Sequence, residues 1–417
     1  MSPRPSSSIP RLQEVEFLEV ALDRLIAGQT YDQIRRGLYQ HMQYQRRQNA
    51  PSGNHAGLRR QEDPSTRYVH NTTEALAELM RLDFVERVQL PSSKRAAEAY
   101  VERTFTATEA GKLWAATNAE NPVGAYGDLL RRLIELHAQL RGYLRLLASG
   151  PFIIPSAKWS EVHDRPIGVE HAEAARALYV KFVVERCVRA FEATETGWSA
   201  TGEEISAGIN KYIDQRVASA NSRSRPHPYP RAGDFVSAVE EAVVSFAFTR
   251  AEMPLDYISL EILRRWTKTL GVAGFSNHVP GPPALRLWAT ADVTFEPAFA
   301  VARRSGPEWT QAVLALLPEA YERARQQQRD SSFVPIHLVR GAVCSSLKLN
   351  DNVFDTAIRE CLGSQGDPAF PYRINLDRAQ FGALPPSERP LIVPDRQNRP
   401  RVYSVMTLVN RPERTPA

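Results

Sequence analysis

The hydrophobic period of this 417-residue chain changes twice between Thr72 and Trp114, and few arrangements accommodate two such changes in so short a span. Leu76, Leu79, Met80 and the Asp83-Phe84 step lie at helical spacing, so residues 72–82 read as an amphipathic helix capped by Thr72 or Thr73. Phe84-Val85-Glu86-Arg87-Val88-Gln89-Leu90 then alternates, with Phe84, Val88 and Leu90 apolar, as a half-buried strand should, and Pro91-Ser92-Ser93 stops it. A polar stretch with Lys94 and Arg95 follows. Tyr100 to Thr106 alternates again and is placed to fold back on the first strand as a long-tipped hairpin. Thr108-Glu109-Ala110-Gly111-Lys112-Leu113-Trp114 starts another helix.

Two further helices are predicted upstream, over Arg11–Ala27 and Thr30–Met42. Three helices followed by a two-stranded hairpin make residues 12–118 resemble the winged helix-turn-helix superfamily, and the strand-to-Thr-x-x-Gly step is similar to one that ends many bacterial winged-helix domains. The resemblance is to a superfamily and to no particular family within it. It implies a DNA-binding role, with the helix before the wing in the major groove and the wing on phosphates. The connection from Gln43 to Tyr68 departs from compact members, whose helices are joined by a few residues.

Residues 331–410 repeat this logic: helices over Ile336–Leu347 and Asn352–Leu362, a strand over Tyr372–Leu376, a Pro-rich tip over Leu384–Pro400, and a partner strand over Arg401–Val409. This stretch resembles a second winged-helix domain. Between the two, residues 119–330 read as helices over Leu129–Leu147, Val169–Ala193, Glu203–Ala220, Phe235–Thr249, Ser259–Gly271 and Pro307–Gln328. Residues 1–11 and 411–417 read as tails. The expected fold is mainly α with small β-hairpin wings, winged-helix domains standing at both ends of a helical middle region.

Charge is the next constraint. The net charge is +5, and the stretch from Arg35 to His70 supplies the same excess, with Arg35, Arg36, Arg46, Arg47, Arg59, Arg60 and Arg67 against Glu62 and Asp63. Such a stretch attracts phosphate backbones through counterion release, without reading sequence; equally, it is what a solvated basic loop looks like. The expected DNA contacts are Arg46, Arg47, Arg59, Arg60, Arg67, Thr72, Thr73, Lys94, Arg95, Arg103, Arg396, Arg399 and Arg401. The helix before the first wing is an awkward reader, because its outer face offers Thr73, Glu74, Ala77, Glu78 and Arg81, and two carboxylates repel the duplex. Its C-terminal counterpart offers Asp355, Thr356, Arg359 and Glu360. Contact through loop and wing, with limited sequence discrimination, is therefore expected.

Catalytic patterns are sparse. Gly111-Lys112 lacks the rest of a phosphate-binding loop, and Cys187, Cys344 and Cys361 are too far apart for a Cys-x-x-Cys metal site and read as core thiols. No catalytic residue, metal or cofactor is expected. His337-x-x-Arg340, Leu362-Gly363 and Tyr372 resemble in order the C-terminal active site of tyrosine recombinases, but Ser364 replaces the usual second histidine, and Pro371 breaks any helix carrying the tyrosine. With no run approaching the roughly 20 apolar residues of a membrane span, the chain is expected in the cytoplasm, away from membranes. The expectation is a non-enzymatic subunit of a bacterial DNA-associated complex that binds double-stranded DNA and protein partners or its own copies. The alternative is a protein-interaction scaffold whose winged helices bind no DNA.

Overall fold

The computed structural model describes residues 12, 14–49, 64–87, 105–155, 201–221, 232–253, 255–276, 284–290, 293–294, 300–301, 307–328, 331–364, 372–377, 390–394 and 400–410, with isolated positions between 177 and 188. It is mainly helical, with small antiparallel sheets. Helix α1 (Glu16–Ile26) forms because Phe17, Leu18, Ala21, Leu22 and Leu25 recur on one side and are all buried. It ends at Gly28, whose φ of 73° lets the Gln29 N–H donate back to the Arg24 carbonyl at 3.0 Å. Helices α2 (Tyr31–Asn49) and α3 (Pro64–Arg81) pack on α1 and on each other. The start of α3 corrects the expected cap: Thr72 and Thr73 stand within the helix, Thr72 fully buried and Thr73 bonded to the Tyr31 hydroxyl at 3.0 Å. Strands β1 (Val85–Arg87) and β2 (Phe105–Ala107) pair antiparallel, Val85 opposite Ala107. The remainder of the expected hairpin, 88–104, lies outside the described residues.

The passage from α3 to β1 runs through Leu82-Asp83-Phe84, with Asp83 left-handed at φ 60°. Thr108 ties this turn to the residues beyond β2. Its N–H donates to the Phe84 carbonyl at 3.0 Å and its hydroxyl to the Asp83 carbonyl at 2.6 Å, while Oγ1 accepts the Gly111 N–H at 3.1 Å and caps α4 (Glu109–Glu120). A Cβ on Gly111 would stand 2.2 Å from the Phe84 carbonyl oxygen, so the Thr-x-x-Gly step marks a close approach of helix to turn.

Helices α5 (Pro122–Leu136) and α6 (Ala138–Ala148) replace the single helix expected over Leu129–Leu147, because the backbone is extended at His137, φ −116° and ψ 102°. Strand β3 (Phe152–Pro155) follows, then α7 (Gly202–Asn221), α8 (Ala232–Arg250), α9 (Tyr257–Thr269), β4 (Ala273–Ser276) and β5 (Ala284–Ala289). The middle is thus not purely helical: β5 lies between β3 and β4, antiparallel to both. These strands are short, largely buried runs without alternation, which hydrophobic periodicity does not separate from buried helix.

The passage out of α9 repeats the one out of α3. Leu270-Gly271-Val272 leads into β4 with Gly271 left-handed at φ 79°, and Thr290, directly after β5, donates its N–H to the Val272 carbonyl at 3.0 Å and its hydroxyl to the Gly271 carbonyl at 3.1 Å.

After a short pair, β6 (Val293–Thr294) with β7 (Ala300–Val301), come α10 (Pro307–Gln327), β8 (Val334–Pro335), α11 (Ile336–Leu347), α12 (Asp351–Ser364), β9 (Tyr372–Asp377), β10 (Leu391–Pro394), β11 (Pro400–Tyr403) and β12 (Val405–Asn410). The sheet order is β8-β12-β9, and β10 pairs with β11 inside the β9-to-β12 connection. As in β3-β5-β4, the last strand of the set lies in the middle.

Buried apolar side chains form two clusters. The first runs from Leu12 to Leu287 across the expected 118/119 boundary. The second joins Trp288, Val313, Leu317, Tyr321 and Ala324 to the residues from Val334 to Met406, so α10 packs with the C-terminal elements across the expected 330/331 boundary. Three buried indoles bridge stretches of chain: Trp114 donates to the Ala125 carbonyl (2.9 Å), Trp266 to Leu12 (3.1 Å) and Trp288 to Leu349 (3.2 Å). Among the described residues no helix is long and apolar enough to cross a membrane.

Candidate nucleic-acid interface

The outer face of α3 differs from the expected one at its most consequential position. Val69, His70 and Arg81 are exposed and Thr73, Glu74 and Ala77 half-buried, but Glu78 is fully buried. Its carboxylate meets Nε2 of His137, itself fully buried, and accepts from Arg81 Nη1 at 2.8 Å; the His137 and Trp266 rings meet T-shaped, centroids 6.1 Å apart. Helical spacing placed Glu78 with Glu74 and Arg81; a histidine 59 residues away covers it, and no local pattern announces that. The acid left on this face is Glu74, with its carboxylate 4.0 Å from His70. The objection that two carboxylates face the duplex therefore loses one of them.

Asp355 is corrected in the same way. Expected on the surface of α12, it is buried and accepts from Arg340 Nε at 2.9 Å, with Nη2 at 2.8 Å. Thr356, Arg359 and Glu360 are exposed as expected.

The expected basic contacts are scattered along the chain. Arg46 and Arg47 fall in the second half of α2 and Arg67 in the first turn of α3, so the helices place them on either side of the 50–63 connection. Arg401 lies on β11, opposite Val393 and half-buried. Arg59, Arg60, Lys94, Arg95, Arg103, Arg396 and Arg399 lie outside the described residues. Thr72 is 0% exposed and Thr73 is held by Tyr31, so neither is presented to a phosphate as expected.

Three arginines outside the expected contact set stand near these hairpins. Arg87 is exposed on β1, opposite Phe105, and Arg373 is exposed on β9, where the inward alternation of Tyr372, Ile374 and Leu376 marks it as outward. Arg359 donates from Nε to the Ile392 carbonyl at 2.8 Å and fastens β10 to α12.

The recombinase-like residues are taken up by the second core. Arg340 is 1% exposed and paired with Asp355, and Tyr372 is 4% exposed and donates to the Leu314 carbonyl at 2.8 Å. Cys344 and Cys361 are buried, and burial pushes both thiols up, Cys361 to about 12, so neither supplies a thiolate near neutral pH. Among the described residues no group of His, Cys, Asp and Glu is arranged to hold a metal.

Compared with protein-family models, curated proteins and solved structures, the chain finds no match.

Proposed function

We propose that this protein binds double-stranded DNA without catalysing a reaction, through winged-helix units that contact phosphates with their arginine-bearing hairpins and with the basic stretch from Arg46 to Arg67. The observation that carries this reading is the C-terminal set: helix, strand, two helices, strand, hairpin, strand, with the last strand central and Arg359 fastening the hairpin to α12. That is the order in which a winged helix holds its wing beside its third helix. Arg401 on β11 and Arg396 and Arg399 in the tip give the hairpin cations suited to phosphate. The three helices before β1 and β2 support an N-terminal unit of the same kind.

Retention of duplexes of unrelated sequence, with affinity falling steeply as salt rises, is the expected result. Replacing Arg59, Arg60 and Arg67 together by alanine weakens it about equally on all sequences. Absence of retention at low salt overturns the proposal. One observation favours a protein-binding scaffold as the second reading: α9 stands before a hairpin, as α3 does, yet it is taken up by other parts of the chain, with Arg265 held by Glu14 and Lys268 by Asp351. The scaffold reading predicts a chain that retains no DNA and co-purifies with a protein partner.

A further inference from the structure

Matching α3 and α9 at their left-handed junction residues, Asp83 and Gly271, pairs Ala77 with Arg265 and Arg81 with Thr269. In α3 these positions belong to the outer face. In α9 they are covered by the chain that leads into α1: Glu14 holds Arg265 at 3.0 Å, Glu16 Oε1 accepts from Thr269 Oγ1 at 3.1 Å, and the Leu12 carbonyl takes the Trp266 indole.

This seam is crowded with acids. From α1 and the residues before it come Glu14, Glu16, Glu19 and Asp23; α9 brings Arg265 and Thr269; α2 brings His41; and α4 and α5 bring the neutral Asn118 and Tyr126, which donate to Glu19 at 2.9 and 2.6 Å. The Glu14 side chain is 18% exposed, and Glu16 Oε2 is buried away from solvent. Burial first, and the neighbouring Glu16 next, raise the Glu14 carboxyl to about 7 against the pull of Arg265. Burial also raises Glu16 and Asp23.

We propose that Glu14–Glu16 is a pH-responsive strap over α9, held closed while its carboxyls carry protons and loosened as they ionise. The inference does not rest on the nucleic-acid reading. A carboxyl that ionises less readily in place than when free holds its proton in the closed state. Closure is therefore strongest below the ordinary carboxyl value of 4.5, weakens as pH rises through about 7, and levels off above that. Glu14 alone makes the closed state about tenfold less favoured at pH 8 than at pH 6.

Hydrogen exchange of the full chain, followed by mass spectrometry at pH 6 and pH 8 and corrected for the intrinsic rate, tests this. Peptides spanning 14–26 and 257–271 are expected to open about tenfold more at pH 8, while one from α11 does not. In E14Q/E16Q, which cannot ionise at these positions, the difference shrinks to what Asp23 contributes. If the α11 peptide shows the double variant to be unfolded, E14Q alone is read, and the difference is reduced. Equal opening of the wild type at both pH values overturns the strap, as does an undiminished pH difference in the folded variant.

Discussion

Glu78 of α3 and His137 of the α5–α6 break are paired side chain to side chain, each 0% exposed. Arg81, the other partner of Glu78, is about half exposed, so His137 is the partner that shields the carboxylate from the core. Replacing His137 by alanine takes one hydrogen-bond partner from a buried carboxylate and leaves it a partially solvated cation, a loss of about 1–3 kcal/mol. Urea unfolding of His137→Ala measures it. The double variant Glu78→Leu with His137→Leu is expected to lose less than His137→Ala alone, since it removes the buried carboxylate along with its partner. A loss below about 1 kcal/mol in His137→Ala would falsify this account of the break.

Gly111 is expected to tolerate no side chain. With the Phe84 carbonyl 2.2 Å from the position of a Cβ, Gly111→Ala must push α4 away from the turn after α3. The cost is about 1–3 kcal/mol, as for overpacking elsewhere. Thr108→Val keeps the size of the side chain, removes both of its hydroxyl bonds, and costs about 1–2 kcal/mol. Thermal unfolding compares the two, and a neutral Gly111→Ala contradicts the close approach.

Much of this local geometry is legible in the sequence. The spacing of Leu76, Leu79 and Met80, the switch to alternation at Phe84 and the Thr-x-x-Gly step locate α3, β1 and α4, because each is determined by neighbours a few residues away. The central strands β3, β4 and β5 were not readable, since a buried strand with no exposed face has no period of its own. Glu78 and Asp355 were assigned to the wrong side for a related reason. Helical spacing tells which residues share a face, but their burial depends on His137 and Arg340, whose arrival is a tertiary event. Of the expected contacts, Arg46, Arg47, Arg67 and Arg401 fall on described backbone, while the long loops and tips that hold most of the others offer no periodic signal.

Trp288 is expected to matter for the attachment of the C-terminal elements more than for their own folding. Its indole N–H reaches the Leu349 carbonyl at the turn before α12, and Asn350 and Asp351 bind Lys268 from the same turn. Trp288→Phe keeps most of the apolar contact and leaves that carbonyl without its donor, a loss of about 1–3 kcal/mol. Limited proteolysis should then release a C-terminal fragment sooner than in the wild type. Unchanged cleavage would count against the bond as an attachment point.

If the hairpins contact phosphates, Arg396, Arg399 and Arg401 replaced together by alanine lower affinity for all duplexes alike. The slope of log affinity against log salt becomes shallower by up to about 3. Equilibrium binding at several salt concentrations reads both. A loss confined to one sequence would instead indicate contact with base edges.

The junctions centred on Thr108 and Thr290 fix the turns from α3 to β1 and from α9 to β4 by the same two bonds, at distances within about half an ångström of each other. A chimera carrying residues 270–290 in place of 82–108 is therefore expected to keep both bonds. Both bonds lie at the base of the strand pair and neither uses a residue between the two strands, so the anchor makes no demand on the length or charge of what joins them.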